Sequence, residues 1–460
     1  MKTRSPLQGS ARKRFLLSVA TLFLACKVHA DPIAPTGNAG EGREKSGSTD
    51  ASWSAFGQLT NVTQWHGSFR SPYGGTNSLA AGGPAEETTD ATLYAGSRLW
   101  RGAEFWVNPE IDQGFGLSGT LGVAGFPSGE AYKIGANAPY LRLPRVFVRQ
   151  YIPLGEPGEH VETVANQFAY QSAGDSLTIT AGKLSVVDIF DVNRYAHDPR
   201  GDFMNWALID AGTFDYAADA WGFTYGAAAE LARGPWTLRG GIFQLSPVPN
   251  GKITGVDFSQ YSLLAELETR CDWGGRPGKA KVLGFVNRGN MGNYADAVQL
   301  ASQSGGTPNT ASVRRFSSRP GISVDLEQEV SSEIGLFARA GANDGRFEAY
   351  EFTEINKTVS AGLSLAGERW GRPEDKVGIG AVLNGLSGDA RSYFSAGGLG
   401  ILIGDGRLNY GSEQIVEVYC SLKVNARLSL SVDYQHIENP AYNRDRGPVS
   451  VYGMRLHAEL

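Results

Sequence analysis

Several segments in the second half of the chain repeat with a period of two residues. In KTVSAGLSLAG (357–367), Val359, Ala361, Leu363 and Leu365 alternate with Thr358, Ser360, Gly362 and Ser364. KVGIGAVLN (376–384) sets Val377, Ile379, Ala381 and Leu383 against Gly378, Gly380 and Asn384. QIVEVYCSLKVN (414–425) gathers Val416, Val418, Cys420, Leu422 and Val424 opposite Glu417, Ser421 and Lys423. RLSLSVDYQ (427–435) and the final VYGMRLHAEL (451–460) repeat the pattern. Successive strand side chains point to opposite faces, so each segment predicts a strand with one apolar and one polar face. No helical periodicity of comparable strength competes with it.

Two architectures satisfy such strands. A stacked sandwich buries the apolar faces against each other. A transmembrane antiparallel up-and-down barrel turns them to lipid and keeps the polar faces around a lumen. The polar parity here carries many Gly, Ser, Arg, Glu and Asp residues, which fits a wet interior better than a sandwich core. More than a dozen strands would also be unusual for one sandwich, and closure removes the edges that a long open sheet exposes. The last strand agrees with closure. Tyr452, Met454, Leu456, Ala458 and Leu460 share one parity while Arg455, His457 and Glu459 take the other, up to the final residue. A barrel pairs its last strand with its first, so the chain's end belongs inside the sheet. The expected fold is therefore all-β, a barrel of large even strand number.

The N-terminus bears on location. Lys2, Arg4, Arg12, Lys13 and Arg14 precede the apolar FLLSVATLFLAC (15–26), and Val28-His29-Ala30 resembles a small-residue cleavage site, so residues 1–30 read as an export signal. A lipoprotein reading at Cys26 competes, but Phe23 and Leu24 do not suit it. Residues 31–50 lack aromatics and read as a flexible leader, and 51–460 as one barrel domain. Beyond the signal no apolar run approaches the eighteen or so residues of a membrane helix. Taking the six Lys and Arg of residues 1–30 from the chain's 42, against 47 acidic residues, leaves a net charge of −11. That argues against a nucleic-acid partner. Two cysteines beyond the signal, Cys271 and Cys420, are too few for a disulfide scaffold, and the scattered histidines show no metal spacing. No cofactor is expected.

Several stretches in collinear order resemble the OprB-type carbohydrate-selective porin family. They include GQLTNVTQWHGSF (57–69), GSRLWRGAEFWVNPEIDQGFGLSGTLGVAGFPSGEAYKIG (96–135), PRVFVRQYIPLG (144–155), GKLSVVDIFDVNRYAHDPRGDFMNWAL (182–208), FARAGANDGRFEAYEFTEI (337–355) and the closing YQHIENPAYNRDRGPVSVYGMRLHAEL (434–460). The resemblance implies an outer-membrane barrel of sixteen strands that admits sugars such as glucose by diffusion. Its partners would be small sugars, outer-membrane lipid and the insertion machinery that reads the C-terminal strand. Leu460 departs from the aromatic residue on which such barrels usually end. Whether the barrel is a monomer or a trimer is left open.

A sugar pore breaks no bond. It needs a constriction with hydrogen-bonding groups and aromatic faces for the ring's C–H surfaces. RLWRGAEFWVNPE (98–110) offers Arg98 and Trp100 on one strand and Glu104 and Asn108 on the next; an interfacial belt is the competing place for the tryptophans. Arg145 and Arg149 share a parity in PRVFVRQY (144–151), either at the constriction or paired with wall carboxylates such as Glu104. DIFDVNRYAHDPRGDFMNW (188–206) concentrates Asn193, Asp198 and Arg200 in a segment expected to fold into the lumen and narrow it. An ordinary surface loop is the alternative. A general or ion-selective porin stays in play. A barrel enzyme would need a dyad, for which Asp188 and His197 are the nearest pair in sequence.

Overall fold

The last strand pairs with the first. Gly57 and Leu460 exchange backbone hydrogen bonds of 3.0 and 2.8 Å, and Val62 lies opposite Arg455. This closes a sixteen-stranded antiparallel barrel in a computed structural model that describes residues 51–131 and 135–460. The expected signal (1–30) and leader (31–50) lie outside the described residues. The wall begins with β1 (Trp53–His66), β2 (Glu86–Trp100), β3 (Ala103–Gly114) and β4 (Ala136–Pro153). A small separate hairpin follows, β5 (Pro157–Val161) with β6 (Tyr170–Ala173). The wall resumes with β7 (Ser176–Leu184), β8 (Thr224–Arg233), β9 (Trp236–Gln244), β10 (Tyr261–Asp272), β11 (Pro277–Gly292) and β12 (Arg314–Glu329). It ends with β13 (Ile334–Asn343), β14 (Lys357–Ala366), β15 (Lys376–Gly385), β16 (Glu413–Asn425), β17 (Leu428–Glu438) and β18 (Val449–Glu459). Each wall strand pairs with its neighbours in sequence, except that β4 pairs with β7 across the hairpin.

Alternation sets the two faces. Along β18, Tyr452, Met454 and Leu456 are exposed on the outer surface while Arg455 is 1% exposed inside. Outward tryptophans sit beside the short turns at one end, among them Trp53, Trp100, Trp236 and Trp273. Near the other end Trp65 stacks on Tyr452 at 5.6 Å, and Tyr434 leans on the same ring. Two aromatic girdles of this kind mark the edges of an apolar band in outer-membrane barrels. Short turns such as Arg101–Gly102 and Ala426–Arg427 occupy one rim, which in such barrels faces the periplasm, and the long loops occupy the other.

The lumen is only partly wet, which the sequence reading did not anticipate. Residues 185–223, between β7 and β8, fold inside, and 202–220 are buried without a break. Phe203 of this loop packs edge-on against Phe337 of β13 and Tyr419 of β16, with ring centroids 5.3 and 5.0 Å apart. Some inward glycines serve that packing instead of water. A Cβ on Gly378 would lie 2.1 Å from the Tyr419 ring, and one on Gly362 would lie 2.5 Å from that of Phe337. The barrel thus has a dry half against β13–β17 and an open half against β2–β4 and β7–β11.

A loop that runs inside a barrel must find partners for its backbone. The wall supplies charged ones. Glu266 accepts the Asp191 N–H at 2.8 Å, Glu327 that of Arg194 at 2.8 Å, and Glu417 that of Asn205 at 2.9 Å. Arg339 donates to the carbonyls of Leu208, Ala196 and Asp191 at 2.8–3.1 Å, and Arg455 to those of Pro199 and Asp202 at 2.6 and 2.8 Å. Glu413 holds a second inward segment, the β3–β4 loop, by the N–H groups of Ala124 and Gly125. Charged partners make the stronger hydrogen bonds.

Candidate functional site

The open half encloses a cavity of about 1390 Å³. Phe352 and Leu402 of the long loops line it at one end, and Asp272 and Gly275 of the β10–β11 turn line it at the other. β4 supplies its cationic wall. Asn108 lies opposite Arg145 while Glu110 lies opposite Arg142, so one strand advances two residues and the other three. This bulge at Leu143–Pro144 switches parity, and Arg142 joins Arg145 and Arg149 on the inner face. Strict alternation hides Arg142, which has the opposite parity; the proline between two arginines in LRLPRV was the available signal.

Every one of these arginines has an acid. Arg142 pairs with Asp112 and, at 2.5 Å, with Glu110. Arg145 grips Asp188 of the inward loop with two bonds of 2.6 and 2.8 Å. Arg149 reaches Glu104 at 3.1 Å. Arg200 projects from the inward loop among Asp90, Glu110 and Glu130 at 3.4–3.6 Å and bonds the Tyr94 hydroxyl at 3.4 Å. Burial would raise the Asp188 carboxyl, but the Arg145 guanidinium wins and holds it below its ordinary range. Asp198 is likewise held low by Arg200 against burial. Glu130 goes the other way: burial pushes it well up, with Asp90 adding to the effect against the pull of Arg200.

Aromatic faces complete the lining. Phe126 stacks on Trp206 at 4.9 Å, and Phe352 lies 4.7 Å from Trp206 and 4.6 Å from Tyr216. Phe223 sits 4.9 Å from the Arg145 guanidinium, and Trp221 5.7 Å from that of Arg142. These rings come from three loops far apart in sequence, so no local motif announced them. Asn205 fixes one of them: its side chain accepts the Ala207 N–H and caps the short helix α1 (Trp206–Ile209).

Seven of the nine expected lining residues border the cavity, namely Arg98, Glu104, Arg145, Arg149, Asn193, Asp198 and Arg200. Two do not. Trp100 is 63% exposed beside the β2–β3 turn, where a register shift lets its indole turn to Gln150 at 2.7 Å. Asn108 points inward but is fully buried. Among the seven, Asn193 is an anchor, donating to Asp325 at 2.6 Å. Arg98, Glu104 and Arg149 gather at the short-turn end, away from Arg145 and Arg200.

The family model for the carbohydrate-selective porin, OprB family matches residues 76–460. The chain belongs to that family. Its barrel is similar to the solved structure of Pseudomonas putida OprB, with a TM-score of 0.66, 15% identity, and coverage of 89% of this chain and 94% of that one. The outer membrane channel DcaP of Acinetobacter baumannii also matches, at a TM-score of 0.48 and 12% identity over 89% and 97% of the two chains. No curated protein sequence matches. This porin is a sixteen-stranded barrel of an outer-membrane family whose members are described as carbohydrate-selective.

Proposed function

We propose that this porin passes small neutral sugars such as glucose into the periplasm by passive diffusion. The observation that carries the reading is the pairing, in one cavity, of flat aromatic faces with arginine–carboxylate pairs. Hydroxyls can bond to either member of such a pair, and the pyranose C–H surfaces suit Trp206, Phe352 and Phe223. Because each guanidinium already faces a carboxylate, the lining offers an anion no unpaired positive site at Arg142, Arg145, Arg149 or Arg200. A neutral polyol loses less there than a charged solute.

The enzyme alternative needs Asp188 and His197 to work together. Instead Asp188 is clamped by Arg145, and His197 faces Asp210 at 3.3 Å. The test is single-channel current in a planar bilayer, titrated with glucose and then sucrose. Saturable block by glucose is expected. In Arg145→Gln the half-blocking concentration should rise about tenfold, since a hydrogen bond to a charged group is worth about 1.5–3 kcal/mol. Current indifferent to sugars would leave a general porin.

A further inference from the structure

The β4–β7 connection does not hang free below the barrel. Phe168, at the tip of the β5–β6 hairpin, is 2% exposed and packs on Trp106, Phe147 and Tyr94 inside the wall. Three wall side chains hold this tip by its backbone. Arg98 donates to the Ala169 carbonyl at 2.6 Å, with its guanidinium 4.8 Å from the Phe168 ring. Glu104 accepts the Phe168 N–H at 2.8 Å. Arg149 donates to the Asn166 carbonyl at 2.6 Å while also pairing with Glu104. Tyr151 fastens the base, its hydroxyl accepting the Ala173 N–H at 2.8 Å.

The hairpin also borders the cavity, whose lining there includes Glu230, Arg239 and Lys279 of β8, β9 and β11. Those three side chains are themselves tied, Arg239 to Glu230 at 2.9 Å and Lys279 to Glu327 at 3.6 Å, so this part of the lining is fixed as well. The hairpin tip thus lines the cavity on the short-turn side of Arg145 and Arg200. We propose that the β5–β6 hairpin is a second filter inside the periplasmic end of the lumen, and that Arg98, Glu104 and Arg149 are positioning residues that hold it there. The inference rests on the channel reading. It gives these three arginine and glutamate side chains a task other than touching sugar.

The test is one-sided polymer exclusion. Polyethylene glycols of graded size are added to one side of a bilayer at a time, for wild type, the Glu104→Ala/Arg149→Ala double variant and Phe168→Ala. The single variant leaves all the ion pairs in place and covers the case in which the double variant does not assemble. Releasing the tip should raise conductance on the order of twofold, because flow follows the narrowest cross-section. It should let larger polymers enter from the short-turn side. The cut-off from the long-loop side should not move, nor should the glucose half-block in Phe168→Ala, which leaves the Arg149–Glu104 pair intact. Unchanged exclusion from the short-turn side, or equal shifts from both sides, would overturn the proposal. A silent wild-type channel would instead sink the channel reading before any variant is compared.

Discussion

Arg200 stands among Asp90, Glu110 and Glu130, and one substitution there should change which ions the pore favours. Arg200→Ala removes the one positive charge these three acids share at 3.4–3.6 Å, and a unit charge near 4 Å is worth about 1–4 kcal/mol between water and a protein surface. The reversal potential in a salt gradient should therefore move toward cations, by roughly fivefold or more in permeability ratio. A reversal potential unchanged from wild type would mean that the acids are neutral in the folded pore. At this scale the sequence was a fair guide to residue type and a poor one to partner. Arginines and acids in alternating strands declare an inward face, but Arg145 meets Asp188 across 43 positions, and nothing local predicts that.

The inward loop 185–223 is the element that divides the lumen, and it is suspended from the wall more than it is folded in itself. Its α-helix, α1, is four residues long, and its other helical piece is a 3-10 turn at Val186–Asp188. Arg339 is the most connected of its supports, bonding three loop carbonyls and the Asp325 carboxylate at 3.0 Å while 1% exposed. Arg339→Met should leave Asp325 and those carbonyls without it and cost about 3–5 kcal/mol, as expected when one partner of a buried pair is removed. The readouts are a lower denaturant midpoint in detergent and flickering open-channel current as the loop loosens. A steady current with an unshifted midpoint would show that the remaining anchors suffice. The strands themselves were legible because alternation is a local property. The loop's inward course was expected, over a surface loop, from the Asp, Asn and Arg residues concentrated in 188–206, but its supports come from wall strands scattered to the far end of the chain. The β5–β6 hairpin gave no sequence signal of its place, because, the Phe168 ring apart, its tip is held through backbone groups that any residue carries.

For the whole molecule, lipid and lumen make opposite demands on adjacent residues. Val432 is 53% exposed on the outer face of β17, and its neighbour Ser431 is buried inside, bonded to Arg455 at 3.0 Å. Val432→Arg should destabilise the barrel in lipid by about 2–4 kcal/mol, the cost of a mid-depth arginine on such a surface. Unfolding titrations in liposomes measure this, and a loss under about 1 kcal/mol would place Val432 near the membrane edge instead. The closed wall carries the inner segments on carboxylates and guanidiniums that belong to its strands, as with Glu413, Glu417 and Arg455. Specificity in this porin is consequently not a portable cassette. Grafting residues 185–223 onto a foreign barrel would transfer the aromatic rings without the hooks from which they hang, so a working chimera has to transplant wall and loop together.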